Sequence, residues 1–368
     1  IMTQDTNMKD QGQWLVTKYD ALGRVAYTAM KDSGNDRIYF QTEADGSAYQ
    51  YEEKAASGTG YMGTYYTSNS VPTTVNEILT VNYYDDYGFD TDGMSLPATA
   101  DGQPIVNHDN AAGTRMLTRG LATGSRVRVL GTTDWITTVT GYDAKGRPVY
   151  VASKNDYLST ADIVVTLLDF VGNPLRTTST HARGKGSTTI VDVFGYDAMG
   201  RLTAQRQQIG TQPEETIVEN GYDDLGQLVG KGVGGATTGG RLQTVDYAYN
   251  IRGWLKGIND TGSLGNDLFA FGIGYDTPGH GAAALYNGNI AETEWRTANT
   301  DSGLKWYAYA YDALNRITGA TGNTDRYDLD GVAYDRNGNI TALERRGNTD
   351  AMATAFGVMD DLAYTYLA

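Results

Sequence analysis

The sequence predicts an all-β protein built of repeated antiparallel β-hairpins, and three observations support this fold class. A seven-residue motif, Tyr-Asp-x-x-Gly-Arg followed by an apolar residue, recurs along the chain. Glycine (46 residues) and tyrosine (27) are abundant among the 368 residues, which is typical of a chain of turns and strands. The only segment that we interpret as a helix is short, at residues 351–361.

The copies of the motif are regularly spaced. Clear copies begin at Tyr19, Tyr142, Tyr196, Tyr222, Tyr311 and Tyr334, and weaker copies at Tyr84, Leu168, Tyr249 and Tyr275. From residue 142 onward the first positions are 26, 28, 26, 27, 26, 36 and 23 residues apart, a period typical of repeat proteins. One period has room for two strands. Because an isolated hairpin is marginally stable, we expect the hairpins to pair edge to edge into one long, curled sheet.

The motif itself predicts a tight turn between two strands. The Asp opens the turn by bonding to its own backbone, and the Gly takes a positive φ that other residues avoid. Asn315 replaces this glycine in one copy and is the residue that next best tolerates the conformation. We therefore expect Gly23, Gly146, Gly200 and Gly226 at turns. The tyrosine rings are expected to stack on those of neighbouring units, with the arginine over the ring or paired with a carboxylate.

The chain divides at residue 142 by the regularity of its repeats. Residues 1–141 carry degenerate repeats and a long excursion at 90–115, with predicted strands at 14–19, 38–42, 48–52, 125–130 and 135–140. Residues 142–368 form the regular array, in which Tyr307, Tyr309 and Tyr311 alternate along a strand and share a face. Asn-Gly pairs at 287–288 and 337–338 predict hairpins, and residues 230–240 are interpreted as a Gly-rich linker. The pattern is cut at both ends, so we expect a fragment of a larger protein.

Composition excludes several classes of partner and chemistry. The net charge of −15 argues against nucleic acid or an anionic membrane as a partner. The chain has no cysteine, which excludes disulfides, thiolate nucleophiles and cysteine metal sites. No apolar run approaches the length of a membrane span, so we expect no membrane insertion by this segment.

Few residues are candidates for chemistry, and the three histidines are the first of them. His108, His181 and His280 each lie in a turn-like setting. Without cysteine they could ligate a metal only together with carboxylates, and we interpret them as surface polar residues.

The densest acidic segment contains Asp85, Asp86, Asp90 and Asp92. Carboxylates in a loop can hold calcium, but this spacing differs from that of an EF-hand, and a solvated turn is the preferred interpretation. The chain has no Gly-x-Ser-x-Gly elbow, and its Gly-rich segment lacks the Lys-Ser/Thr of a phosphate loop. We predict no catalytic, cofactor-binding or metal site.

The Tyr-Asp-x-x-Gly-Arg spacing resembles the YD repeats of the bacterial Rhs family. Two further segments also resemble sequence motifs of that family, Tyr249-Asn250-Ile251-Arg252-Gly253 and Tyr286-Asn287-Gly288. The resemblance covers nearly the whole chain. It implies a large secreted or bacterial cell-surface protein whose repeats spiral into a hollow β-shell. The implied partner is a variable C-terminal effector, often a toxin, released at a core domain that would lie beyond residue 368. Carbohydrate binding is also ascribed to such repeats.

Three hypotheses of function follow. The first is a non-catalytic encapsulating shell segment that keeps a downstream cargo away from its targets. The second is a glycan- or receptor-binding surface module, which needs an exposed aromatic patch on which sugars can stack. The third is an enzyme such as a glycan hydrolase, which needs two carboxylates across a cleft. Because catalysis needs one constellation rather than ten copies, we interpret the repeated residues as structural and favour the first hypothesis.

Overall fold

The computed structural model describes residues 1–56, 58–106, 117–299 and 301–366, and these residues form an all-β fold. The strands of the first part are β1 Met2–Thr3, β2 Gln13–Tyr19, β3 Val25–Asp32, β4 Glu77–Tyr84, β5 Thr99–Ala100, β6 Gln103–Pro104, β7 Ala122–Arg128, β8 Trp135–Tyr142, β9 Pro148–Asn155, β10 Thr160–Leu168, β11 Pro174–Arg183 and β12 Gly186–Tyr196. Those that follow are β13 Leu202–Ile209, β14 Glu215–Tyr222, β15 Leu228–Val233, β16 Gln243–Tyr249, β17 Leu255–Ile258, β18 Phe269–Gly274, β19 Glu292–Thr297, β20 Lys305–Tyr311, β21 Ile317–Gly322, β22 Leu329–Tyr334, β23 Ile340–Asn348 and β24 Phe356–Ala363.

Twenty-two of these strands belong to one long sheet, and β5 and β6 form a separate pair. Strands that follow one another in the chain pair antiparallel, as β8 does with β9 and β20 with β21. Long insertions separate β3 from β4 and β4 from β7, and each of these pairs of strands is nevertheless paired. The prediction of an all-β fold made of repeated antiparallel hairpins in one sheet is confirmed.

The helices are short: α1 Thr6–Asp10, α2 Arg37–Asp45 and a 3-10 turn at Tyr61–Gly63. No helix within the described ranges has the length and apolarity that crossing a membrane requires.

The chain divides into two compact units. Unit 1 comprises residues 1–200 and 206–214, and unit 2 comprises residues 201–205 and 215–368. The predicted division at residue 142 concerns the regularity of the repeats rather than compactness, and it stays a prediction.

Unit 1 has a buried core on one face of its sheet. Val16, Tyr27 and Val139 point from β2, β3 and β8 into this core and are fully buried. Tyr66 and Phe89 belong to the segments inserted before and after β4, and they pack on the same cluster. The insertions of the less regular half therefore cover the sheet with a second layer.

Unit 2 is different, because its sheet has no comparable core. Among the described residues after 215, the buried apolar side chains are Ala270, Ala291, Ala320 and Val332. Large side chains on β16 and β20 remain partly exposed on either side of the sheet. Unit 2 is therefore largely a single layer with two accessible faces.

Most copies of the motif form the same turn, and the copy at Asp312 shows it fully. The copies that begin at Tyr84 and Tyr275 differ, because they lead into the long connections to β7 and β19. Asp312 Oδ1 accepts the backbone N–H groups of Leu314 and Arg316, both at 2.9 Å. Its Oδ2 accepts Arg316 Nε at 2.7 Å, and Asn315 has a φ of 62°. The same bonds form around Asp20 and Asp143. One carboxylate thus holds the whole loop.

The predicted turn glycines are confirmed. Their φ angles are 76° at Gly23, 76° at Gly146, 77° at Gly200 and 83° at Gly226. The glycine of this motif is therefore a conformational requirement, as its replacement by Asn315 indicated.

The expected stacking of motif tyrosines on one another differs from what the described residues show. Successive units are two strands apart, about 10 Å, which is too far for ring stacking. Instead the Tyr334 hydroxyl donates to the Ile317 carbonyl at 2.7 Å, and the Arg316 guanidinium lies 4.4 Å from the Tyr334 ring centroid. Arg24 lies over Tyr84 in the same way. The arginine prediction is confirmed in both of its forms, over a ring and paired with a carboxylate.

The structure also bears on the predicted strands and on the predicted excursion of unit 1. The strands predicted at 14–19, 125–130 and 135–140 correspond to β2, β7 and β8. The strand predicted at 38–42 is wrong, because Asp36 accepts the Tyr39 N–H as an N-cap and begins α2. In the segment 48–52 only Glu52 forms a bridge, with Asp20. The described part of the excursion at 90–115 contains β5 and β6, and residues 107–116 lie outside the described ranges.

In unit 2 the helix predicted at 351–361 is wrong. Those residues form a turn and most of β24, whose Leu362 pairs with Leu343 of β23, so strand pairing overrides local helix propensity. The two-residue hairpin at 287–288 is also wrong, since residues 275–291 join β18 to β19. The pair at 337–338 does lie in a turn between paired strands, the YD turn of β22 and β23. Residues 230–233 belong to β15, so the Gly-rich linker is shorter than expected.

Candidate functional site

Residues paired directly across antiparallel strands point to the same side of a sheet, which makes it possible to assign the faces of unit 2. Tyr247 pairs with Ile258, Ile258 with Phe271, and Phe271 with Trp295. Positions two residues apart in β18 and β20 extend this side. We call it the aromatic face of unit 2, defined by Tyr247, Ile258, Phe269, Phe271, Ile273, Trp295, Tyr307 and Tyr309.

The aromatic face is continuous. The ring centroids of Phe269 and Phe271 are 6.2 Å apart, those of Trp295 and Tyr307 are 5.6 Å apart, and those of Tyr307 and Tyr309 are 6.3 Å apart. Phe269 is 40% exposed, and the other rings are partly exposed. The prediction that Tyr307 and Tyr309 share a face is confirmed. Such a continuous, partly exposed aromatic surface is a candidate binding surface.

The opposite side of unit 2 combines carboxylates with glycines, and we call it the acidic face. Glu292 pairs with Gly274 and Glu294 with Gly272. A Cβ on Gly274 would lie 2.6 Å from Glu292 Cγ, and one on Gly272 would lie 2.8 Å from Glu294 Cγ. Each glycine therefore leaves room for the glutamate beside it.

His280 belongs to a cluster on the acidic face. Its Nε2 pairs with Glu294 Oε2 at 2.7 Å, and its ring stacks on Trp306 with centroids 4.9 Å apart. The backbone N–H groups of Gly279 and His280 donate to the two oxygens of Glu292, at 2.5 and 2.8 Å. The Thr261 hydroxyl donates to Glu294. The cluster fastens two loops to the sheet.

The electrostatics of this cluster indicate a structural role. Burial raises the pKa of Glu294, but the hydrogen bonds from Thr261 and His280 outweigh it and lower that pKa below its ordinary value. All four carboxylate oxygens of Glu292 and Glu294 have hydrogen-bond partners, and these bonds hold the two loops at the sheet. The interpretation of His280 as a plain surface residue missed this cluster, and the alternation Glu292-Thr293-Glu294 was the only local signal.

His181 lies apart from this cluster. His181 Nδ1 pairs with Asp162 Oδ1 at 2.6 Å across β10 and β11, and both side chains are about half exposed. This cross-strand pair agrees with the interpretation of His181 as a surface polar residue. His108 lies outside the described residues.

The acidic segment of unit 1 is not a solvated turn. Its four carboxylates pair with four different cations: Asp85 with Arg24 at 2.7 Å, Asp86 with Lys54 at 2.6 Å, Asp90 with Arg126 at 3.4 Å and Asp92 with Lys154 at 2.8 Å. The partners lie far away in sequence, so the local pattern could not reveal them. The pairs with Arg126 and Lys154 fasten the insertion after β4 to β7 and β9, and the pair with Lys54 joins it to the insertion before β4.

A second buried network was missed entirely. Lys18 and Glu52 form a fully buried ion pair at 3.0 Å, and Lys18 Nζ also donates to Ser70 O and Ser70 Oγ. Burial lowers the pKa of Lys18. Burial raises the pKa of Glu52, but hydrogen bonds from Ser70 and Asn69 hold it below its usual value. Because the Lys18 donors are occupied, the network fixes the inserted segment to β2 rather than activating Ser70.

Unit 1 also contains an aromatic cavity of about 500 Å³. Its lining includes Tyr65, Tyr66, Tyr83, Tyr87 and Phe89, together with the Lys54–Asp86 ion pair. The Tyr83 and Phe89 rings stack with centroids 4.0 Å apart. The cavity offers flat aromatic walls with charged groups at one edge.

Comparisons with known proteins give the following findings. No protein-family model matches this chain. No curated protein matches it either. Among solved structures, it is similar to the crystal structure of TcdB2-TccC3 without its hypervariable C-terminal region, with 13% identity over 94% of this chain and a TM-score of 0.32. It is also similar to the Tc holotoxin pore of Photorhabdus luminescens with a mutation in TccC3, with 11% identity over 94% of this chain and a TM-score of 0.24.

This chain spans 18% and 20% of the length of those two chains. At these identities and TM-scores, the likenesses do not assign a function to it.

Proposed function

We propose that this chain is a wall segment of a non-catalytic encapsulating shell, part of a larger secreted or cell-surface protein that encloses a downstream effector. The observation that carries the proposal is the single-layered sheet of unit 2, with an aromatic face on one side and an acidic face on the other. The effector and the secretion are implied by the resemblance of the YD motifs to Rhs repeats.

The physical argument concerns what a single layer can do. A globular domain buries one face of its sheet in a core, and the described part of unit 2 has almost no such core. A wall between an enclosed volume and solvent needs two accessible faces of different character. The aromatic face suits contact with an unfolded polypeptide, whose apolar side chains are exposed. The acidic face differs in character, since its carboxylates hold the loops that contain Thr261 and His280.

The repeated turn supports the proposal because it allows a sheet to continue indefinitely. Motif tyrosines donate to a carbonyl of the preceding unit, as Tyr311 does to Ile290 at 2.8 Å and Tyr334 to Ile317 at 2.7 Å. Units with this bond therefore fix each other's positions in the same way, as in other repeat proteins.

The test is protection of a tethered cargo. An unfolded reporter peptide fused after residue 368 should be cleaved by a protease more slowly than the same reporter fused to an unrelated folded domain. Replacing Trp295 and Phe271 by serine should reduce the protection, because both lie on the aromatic face. Replacing Asp330, which is exposed, by serine is the control. Equal cleavage with and without this chain would contradict the proposal.

The aromatic cavity of unit 1 favours a second candidate function, glycan binding. Tyr65 and Tyr87 are partly exposed and present ring surfaces on which a sugar could stack, with the Lys54–Asp86 ion pair beside them. A glycan array with the purified chain tests this function. Binding that disappears in Tyr65→Ala but persists in Trp295→Ser would assign it to the cavity rather than to the aromatic face.

A further inference from the structure

The YD turns of unit 2 carry exposed apolar side chains at their tips. Leu225 is 84% exposed, Leu314 is 69% exposed and Ile251 is completely exposed. Tyr286, in the loop that joins β18 to β19, is 70% exposed. These residues lie at the same end of the strands, because every YD turn follows the strand that ends in the motif tyrosine.

The turns form a continuous rim. Arg252 Nη1 donates to the Tyr286 carbonyl at 3.1 Å, and Asn287 Nδ2 donates to Asn315 Oδ1 at 2.7 Å. A Cβ on Gly253 would lie 3.0 Å from Gln227 Nε2 of the preceding turn. We define the YD rim of unit 2 as residues 223–227, 250–254, 275–290, 312–316 and 335–339.

The turn does not itself require apolar tips. Its geometry depends on the Asp carboxylate and on the residue at positive φ, while Leu225 and Leu314 contribute only backbone N–H groups to it. A single exposed leucine needs no explanation, but a row of exposed apolar side chains along one rim marks an interaction surface.

We propose that the YD rim of unit 2 binds the same rim of a second copy of this chain, in antiparallel orientation. Successive turns lie two strands apart, about 10 Å. A partner with the same spacing can insert each apolar tip between two tips of the opposite rim. A second copy of this rim has that spacing by construction, and an isologous contact of this kind closes as a dimer.

Charge favours the antiparallel orientation. The first turn of the rim contains Asp223 and Asp224 and the last turn contains Asp335 and Arg336, and both Asp224 and Arg336 are exposed. Antiparallel packing brings Asp224 of one rim to Arg336 of the other, whereas parallel packing places Asp224 opposite Asp224 and Arg336 opposite Arg336. The net charge of −15 disfavours an anionic lipid surface as the occupant.

The area of the rim determines how tightly two copies are expected to bind. Five turns two strands apart extend over about 40 Å, and a sheet edge is about 10 Å thick. A contact of these dimensions is small, so we expect a weak, reversible dimer with a dissociation constant in the micromolar range or above. The inference does not depend on the proposed shell function.

Sedimentation velocity of the purified chain over a concentration series, up to about 200 µM, tests the inference in the range where a micromolar dimer is populated. The wild type should shift from monomer to dimer. Leu225→Asp with Ile251→Asp should weaken the dimer at least tenfold. Leu242→Asp with Leu268→Asp is the matched control, because both residues are strongly exposed at the opposite ends of the strands, and it should dimerise like the wild type.

A charge swap tests the orientation. Asp224→Arg and Arg336→Asp should each weaken the dimer, and the two changes in one chain should restore it. A wild type that stays monomeric throughout, or a double variant without restoration, would overturn the proposal. Flotation with neutral lipid vesicles that is lost in the Leu225→Asp and Ile251→Asp variant, without any dimer, would assign the rim to a lipid surface instead. Circular dichroism shows that each variant is folded.

Discussion

A single Asp or Asn side chain organises the YD turn, as Asp312 and Asn250 do, and the residues around it are constrained to different degrees. Where arginine is absent from the motif, Asn339 Nδ2 donates to Asp335 Oδ2 at 2.8 Å and Asn173 Nδ2 donates to Asp169 Oδ2 at 3.0 Å. The arginine position therefore needs only a donor to the carboxylate. The glycine position needs a residue that tolerates positive φ, which explains why Asn315 is accepted there.

The first prediction compares two neighbouring residues of one turn. Gly200 has a φ of 77°, and an added Cβ would have only Asn173 Nδ2 nearby, at 3.9 Å. Gly200→Val should therefore cost only conformational strain, about 1–3 kcal/mol of the free energy of unfolding. Met199 is exposed, so Met199→Ala should be nearly neutral. Thermal unfolding measures both, and equal melting temperatures would contradict the prediction.

The second prediction concerns acid stability. The Arg24 guanidinium, hydrogen bonded to Asp85, lowers the pKa of that carboxyl below its ordinary value of 3.8. A carboxyl whose pKa is lowered by folding contributes stability above its unfolded pKa and loses it as the pH falls through the folded value. Stability should therefore drop below about pH 4 in the wild type.

Asp85→Asn is the comparison for that prediction. The variant should be less stable than the wild type at pH 7, and the difference should shrink as the pH falls below the pKa of Asp85. Melting temperatures at a series of pH values give the result. A constant difference between the two proteins at all pH values would show that the ion pair with Arg24 does not cause it.

At the scale of the element, the close contact between β18 and β19 limits which residues fit at positions 272 and 274. Gly272 and Gly274 of β18 lie beside the glutamates of β19, and those glutamates in turn hold the loop that contains His280. The strand and the loop are therefore coupled through the acidic face, and a small change in β18 is transmitted to residues that are not its neighbours in sequence.

The third prediction tests this coupling. Gly274→Ala should destabilise the protein by about 1–3 kcal/mol, because the new Cβ would overlap with Glu292 Cγ. The Glu292 side chain is buried and has little room to move away. Gly257→Ala, in the neighbouring strand β17, is the control, since its Cβ would make only ordinary contact with the Phe271 carbonyl at 3.5 Å. Urea denaturation compares the two. If Gly257→Ala destabilised the protein equally, the cause would be the loss of a glycine from a strand and not the overlap with Glu292.

At the scale of the whole molecule, the two units use the same repeat in different ways. Unit 1 covers one face of its sheet with inserted segments, which are fastened by the Lys18–Glu52 pair and by the ion pairs of the acidic segment. Unit 2 leaves both faces accessible. In both units, carboxylates hold inserted segments or loops at the sheet through hydrogen bonds and ion pairs.

The fourth prediction follows from the proposed non-catalytic role. Expression of residues 1–368 in a bacterial cytoplasm should leave growth unchanged, since no proposed function of this chain turns over a substrate. The net charge of −15 also opposes binding to phosphate backbones. Growth curves with an empty vector as control give the result. Growth arrest that disappears in His181→Ala or Glu294→Gln would reveal an active site.

The sequence by itself determined the local structure of the repeat. Turn type, the positive φ of Gly200 and Asn315, and the pairing of the motif arginine with a carboxylate depend on residues within five positions of one another. Strong local preferences repeated ten times also make edge-to-edge pairing of hairpins the expected arrangement. The all-β fold and its single long sheet could therefore be predicted.

Only the tertiary structure decided the rest, because those features depend on partners far away in sequence. The segment 37–45 became a helix through an N-cap at Asp36, and residues 356–363 became a strand through pairing with β23. The partners of Asp85 and Glu52 lie 61 and 34 residues away. The aromatic face exists only in the strand register, which places residues from five strands on one side. The surfaces for which we propose a function therefore depend on contacts between residues that are distant in sequence, and local propensity alone does not predict them.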